Sequence, residues 1–118
     1  SQLYHKQNLL PFGEYVPGPQ GLLSHWRTTG AFVAGEAAPR LQLMSREPSA
    51  PVPLGTSICF EAMLPGFFNE AVSEGARLLA NLTDDGWFGA GAEPEQHLNA
   101  TRLRAVETRR WMLRASGS

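Results

Sequence analysis

A single cysteine, Cys59, lies in the run Ile58-Cys59-Phe60-Glu61, after an apolar, β-branched stretch and shortly before Pro65. A thiol is a useful nucleophile when a base or cation draws off its proton and when donors await the oxyanion that forms on the attacked carbonyl. A sharp strand-to-helix junction at these residues would expose the sulfur. It would also aim nearby backbone N–H groups, above all that of Phe60, at a bound carbonyl oxygen. Acyl transfer is the chemistry that such an arrangement suits. A free thiol, with a pKa near about 8.5, is only a few per cent thiolate at neutral pH, so an activated Cys59 requires a cation or base in contact. Lys6 is the best candidate for that cation, because it falls at the end of a strand-like segment and precedes a turn-rich one. Glu14, across that loop, can orient Lys6 or share base duty. Each residue also has an ordinary reading: a lone cysteine as a small buried apolar residue, a solvated lysine, a loop carboxylate in water.

The three histidines offer no rival. His5 alternates away from Lys6 if the strand reading holds, His25 falls in an unplaced segment, and His97 starts the last helix; no spacing demands a Cys-His pair. One cysteine, scattered histidines and unclustered carboxylates argue against a structural zinc site, and no glycine motif cradles phosphate. Within the chain a disulfide is impossible.

Composition sets the frame. The 118 residues are 42% hydrophobic with a formal charge of -1, which fits one modest folded domain and argues against disorder and against a nucleic-acid surface. No apolar run approaches the roughly 18 residues of a membrane span, and Ser1 to Lys6 lacks the features of a signal peptide.

The elements that must position the candidates follow from periodicity and punctuation. Leu3 to Lys6 reads as the end of a strand, and Leu10 to Pro17 as a Pro- and Gly-punctuated loop. Gly18 to Pro53 is a long excursion with weak alternation at Leu41 to Met44. In it Trp26, Phe32 and Leu22-Leu23 either form a lid near an acyl pocket or pack on the domain's own core. Val52 to Cys59 predicts a buried strand. Pro65 opens an amphipathic helix to about Glu74, in which Phe67, Phe68, Ala71 and Val72 share a side and Gly75 is the stop. Arg77 to Leu82 predicts a second strand, and the strand-helix-strand order favours parallel pairing. Thr83 to Glu93 is a polar loop carrying Trp87 and Phe88. Pro94 then starts a helix to about Arg110 with a stripe of Leu98, Ala105 and Met112, flanked by Val106 and Leu113. Arg102 and Arg109 fall within that stripe, their stems packing and their heads reaching carboxylates or solvent. Trp111 to Ala115 begins another strand.

Four segments, in order and spanning nearly the whole chain, resemble the nitrilase superfamily, and within it the apolipoprotein N-acyltransferases. They are Tyr4 to Pro17, similar to the catalytic-lysine block; Ile58 to Glu61, similar to the nucleophile block; Asn81 to Gly89; and Gln96-His97-Leu98 leading into Arg102 to Glu107. The resemblance implies an α/β fold, part of an α-β-β-α sandwich, with residues 1–118 a partial catalytic domain cut at both ends. It implies Cys59 as nucleophile, Lys6 on the oxyanion side, Glu14 as an additional glutamate, Glu61 in support beside Phe60, and Trp87 as an aromatic near the acyl entrance. The family's general-base glutamate lies well upstream of the lysine block, and no residue before Lys6 is acidic. Asp84 stands where the family more usually has Asn.

The implied reaction moves an acyl chain from a phospholipid to Cys59 as a thioester, then to the N-terminal amine of a diacylglyceryl-cysteine lipoprotein, with no metal or organic cofactor. The implied setting is a bacterial inner membrane, with anchoring helices outside these residues and the catalytic domain facing the periplasm. Two alternatives stay open: a soluble amidase of the same superfamily that discharges its thioester to water, and a catalytically inert fragment.

Overall fold

The computed structural model describes residues 2–18, 32–36, 41–44, 50–89 and 91–117. Two units are defined, one of residues 5–38 and one of residues 1–4 with 39–118.

The larger unit is mixed α/β, as part of a nitrilase-like fold requires. It is built on one four-stranded sheet in the order β1-β2-β3-β4. Its elements are β1 (Leu41–Leu43), β2 (Val52–Ile58), a 3₁₀ turn (Cys59–Met63), α1 (Asn69–Ser73), β3 (Leu78–Asp84), a second 3₁₀ turn (Asp85–Phe88), α2 (Glu93–Thr108) and β4 (Trp111–Gly117). β1 runs antiparallel to β2, whereas β2, β3 and β4 are mutually parallel, so the parallel pairing expected of the strand-helix-strand segment is present.

Register decides what each face of the sheet carries. Gly55, Leu79 and Met112 lie opposite one another across β2, β3 and β4, and two residues further along so do Ser57, Asn81 and Arg114. Side chains at a spacing of two share a face, so one face has an apolar row followed by a polar row toward the strands' C-terminal ends. Phe68 and Ala62 close over the apolar row with Leu79, and Phe67, Val72 and Met112 pack around them. The rings of Phe67 and Phe68 meet edge to face at 5.2 Å. The opposite face carries Leu78 beside Trp111, Ala80 beside Leu113 and Leu82 beside Ala115. It is open: Trp111 is 85% exposed, Leu113 56% and Leu82 51%.

Several elements differ from their sequence reading. Leu3 to Lys6 forms no strand. The backbone there pairs through single contacts, such as the Gly35 N–H donating to the Lys6 carbonyl, rather than through a ladder. The helix expected from Pro65 begins only at Asn69, because the 3₁₀ turn ends at Met63 and residues 65–68 form turns, with Gly66 at φ 74°. Its end is as expected, with Gly75 at φ 101°.

The inward face of α2 is the largest departure. His97, Thr101, Arg104 and Thr108 are the buried residues, a polar stripe at helical spacing, while Val106 and Leu103 are exposed. Arg102 and Arg109 are both exposed; Arg102 donates to Asn99, and Arg109 caps the helix in the left-handed conformation. The expected stripe residues Leu98, Ala105 and Met112 are only half-buried, while His97 and Thr101 meet the polar row of the sheet through Asp85 and Arg114. Of the lid candidates, Trp26 and Leu22-Leu23 lie outside the described residues, as does His25, and Phe32 is about half exposed.

Phe68 is 1% exposed at the centre of a small core. Phe68→Ala is expected to destabilise the protein by about 3–5 kcal/mol, read as a lower urea midpoint with an unchanged slope.

Candidate active site

In the smaller unit the loop after Lys6 folds back on itself. Gly13 and Glu14 donate their N–H groups to the Leu10 carbonyl at 3.3 and 2.8 Å, and the Phe12 N–H donates to Tyr15 at 2.7 Å. This turn, with Phe12 in the left-handed region, returns the Glu14 side chain toward Lys6. Lys6 Nζ donates to both Glu14 carboxylate oxygens, at 2.8 and 2.6 Å, and the Leu10 N–H donates to one of them at 2.6 Å. The Lys6 side chain is only 10% exposed and that of Glu14 24%, so neither is the solvated surface group that its type alone suggests. Behind this pair Gly35 presses on the backbone, where a Cβ would come within 2.8 Å of the His5 carbonyl oxygen.

In the larger unit, Cys59 is the first residue past β2. Its backbone is left-handed, with φ 55°, a conformation uncommon for a residue bearing a side chain. The junction is therefore as sharp as the sequence suggests, and the cysteine is a half-buried free thiol. Glu61 holds the turn from below: it is fully buried and accepts the Ile58 N–H at 2.7 Å and the Tyr4 hydroxyl at 2.9 Å. Burial first, then the charge and hydrogen bond of Glu61, raise the Tyr4 hydroxyl well above the usual phenol range. Phe60 lies in the same turn, between the candidate nucleophile and Glu61.

The Cys59 carbonyl points into a buried polar cluster that sequence reasoning did not assign. Asn81 Nδ2 donates to it at 3.1 Å, and also to Ser57 Oγ at 3.0 Å. His97 Nε2 lies 3.0 Å from the same oxygen; because a carbonyl only accepts, that nitrogen carries the hydrogen. His97 Nδ1 is 3.1 Å from Asp85 Oδ1 and 3.3 Å from Arg114 Nη2. Arg114 ties the cluster together, donating to Asn81 Oδ1 at 2.8 Å, Thr101 Oγ1 at 3.2 Å and Asp85 Oδ2 at 2.6 Å. The ring of His97 thus serves the backbone of Cys59, which is not the geometry of a Cys-His nucleophile pair.

Burial alone would push the Asp85 carboxyl up. Hydrogen bonds from Arg114, Ser116 and His97, with the Arg114 charge, outweigh it and bring the pKa down to about 2. Asp84 uses its own carboxylate locally, accepting the Gly86 N–H at 3.0 Å and so shaping the second 3₁₀ turn. This is a bond that the oxygen of an Asn could equally make. Trp87 belongs to that turn by its backbone, while the role expected of it rests on a side chain outside the described part. Among the described residues no three His, Cys, Asp or Glu side chains cluster as metal ligands would. No helix among them is long and apolar enough to cross a membrane.

The larger unit thus holds a strand-end cysteine in a left-handed turn, and the smaller unit a part-buried Lys-Glu ion pair. The carbon-nitrogen hydrolase family model matches residues 1–117, and the chain belongs to that family. Among curated relatives, proteins named apolipoprotein N-acyltransferase from Chlorobaculum tepidum, Bdellovibrio bacteriovorus and Geobacter metallireducens are 34, 36 and 37% identical over 99, 98 and 96% of the chain. The chain spans only 21 to 23% of the length of these relatives.

Asp85 supplies a pH signature. Its carboxyl titrates lower in the folded protein than in the unfolded one, so its stabilisation is present above the unfolded value and lost as pH falls from about 4 toward about 2. A depression of this size is worth about 2 kcal/mol. Asp85→Asn is expected to lower stability near neutral pH, and its deficit relative to the native protein is expected to shrink by about that amount at about pH 2. Urea titrations of both proteins across this range provide the check.

Proposed function

We propose that this chain is part of the catalytic domain of an apolipoprotein N-acyltransferase and that Cys59 carries the acyl group in transit. The observation that supports this best is the Cys59 turn itself, a half-buried free thiol on a left-handed residue at the C-terminal end of a parallel strand. The relatives' shared name supports the acceptor class, and family membership supports a thiol mechanism.

In the first half-reaction the Cys59 sulfur attacks the ester carbonyl of a phospholipid. The S–C bond forms, the carbonyl electron pair moves to oxygen, and on collapse the C–O bond to glycerol breaks, with the thiol proton passing to the leaving alkoxide. In the second, the N-terminal amine of a diacylglyceryl-cysteine lipoprotein attacks the thioester. The N–C bond forms, the C–S bond breaks, and a proton returns to sulfur. Lys6 is assigned the oxyanion-side role in this scheme and Glu14 the fixing of its ammonium. The general base is the glutamate that the family carries upstream of its lysine block. Glu61 and Phe60 shape the nucleophile turn, and Trp87 lines the acyl entrance. No metal or organic cofactor enters the balance. The working site is the periplasmic face of a bacterial inner membrane, with the intact protein anchored by segments outside these residues.

Two substitutions in the intact protein test the scheme. Cys59→Ser is expected to abolish lipoprotein acylation while leaving the fold intact by circular dichroism; retained acylation would reject the mechanism. Lys6→Met is expected to lower the acylation rate by about 10²–10³-fold, the usual consequence of removing one oxyanion donor.

A further inference from the structure

The Cys59 carbonyl receives two side-chain donors, Asn81 Nδ2 at 3.1 Å and His97 Nε2 at 3.0 Å. Both donors are themselves fixed. Asn81 is 1% exposed and His97 2%, and Arg114 and Asp85 hold their far ends. Two donors from different elements, β3 and α2, fill both lone pairs of that one carbonyl and fix its direction. The register explains how they meet: Asn81 lies between Ser57 and Arg114 in the polar row of the sheet, and His97 occupies the first turns of the helix that covers that row.

The peptide bond between Cys59 and Phe60 is trans, so its C=O and N–H point in opposite directions. Fixing the carbonyl inward therefore turns the Phe60 N–H outward, to the side away from the cluster. We infer that Asn81 and His97 are positioning residues for acyl transfer: acting through the Cys59 carbonyl, they aim the Phe60 N–H at the oxyanion. As sulfur bonds to the attacked carbon, the carbonyl electron pair moves to oxygen, and that oxygen accepts the aimed hydrogen. The inference rests on Cys59 being the nucleophile. A donor pre-aimed in this way needs no reorganisation when the charge develops, which is what makes such donors effective.

The test separates attack that creates an oxyanion from attack that does not. Alkylation of Cys59 by iodoacetamide needs the thiolate alone, whereas acyl transfer needs both the thiolate and the oxyanion donor. In the intact protein, His97→Ala is expected to lower kcat for acyl transfer by roughly 10- to 100-fold. KM and the pH profile of alkylation between about pH 6 and 9 are expected to stay unchanged. His97→Gln, which keeps an N–H within reach, is expected to recover most of the loss, and Asn81→Ala to show the same split as His97→Ala. The inference is overturned if kcat stays within about threefold of the native value, if kcat and alkylation fall together, if Gln rescues nothing, or if both alanine variants fail to fold. Failure of the underlying reading looks different: acyl transfer would then survive Cys59→Ser, whatever is done to His97.

Discussion

Cys59 holds a backbone conformation that costs a side-chain-bearing residue about 1–2 kcal/mol, and much of the larger unit is arranged to hold it there. From one side the buried Glu61 grips the Ile58 N–H and the Tyr4 hydroxyl. From the other, Asn81 and His97 grip the Cys59 carbonyl. A residue held from both sides has little freedom to relax into an ordinary strand or helix. The strain persists because the surrounding hydrogen bonds over-determine it.

The same constraint explains the sheet. Alternation along β2, β3 and β4 brings Gly55, Leu79 and Met112 to the core, and two residues on, the same alternation brings Ser57, Asn81 and Arg114 beneath the cysteine turn. Packing and site thus share one face, with the apolar row fixing the strands and the polar row using their C-terminal ends. α2 follows suit, presenting His97 and Thr101 to the polar row and leaving Val106 in solvent. The arginine at its centre, Arg114, is held by an amide, a hydroxyl and the Asp85 carboxylate, so its charge is paired where it is buried.

The parts of this arrangement that were legible in the sequence are those governed by local pattern. The β-branched run before Cys59, the stop at Gly75 and the apolar run at Leu78 to Leu82 gave two parallel strands and the junction between them. Lys6 and Glu14 were paired as candidates on chemistry, and the loop does bring their charged groups together. The fully buried positions of α2, His97, Thr101, Arg104 and Thr108, were missed because they are polar and apolar periodicity marks only apolar residues. The Asn81 and His97 contacts depend on β-sheet register and on a helix crossing it, which no local pattern carries. One signal was available: Asn81 is the one polar residue within the apolar run Leu78 to Leu82, and a buried amide must find partners. Leu3 to Lys6 looked like a strand from its composition, but a strand needs a neighbour to pair with, and that is a tertiary fact.

The most direct test of the account is to find the acyl group. The intact protein, incubated with phospholipid and no lipoprotein acceptor, then digested and analysed by mass spectrometry, is expected to yield the Cys59 peptide carrying one fatty acyl chain. That chain should be removed by neutral hydroxylamine and transferred when acceptor is added. An unmodified Cys59 peptide under conditions where the protein goes on to acylate its acceptor, or an acyl chain found on a different residue, would contradict it.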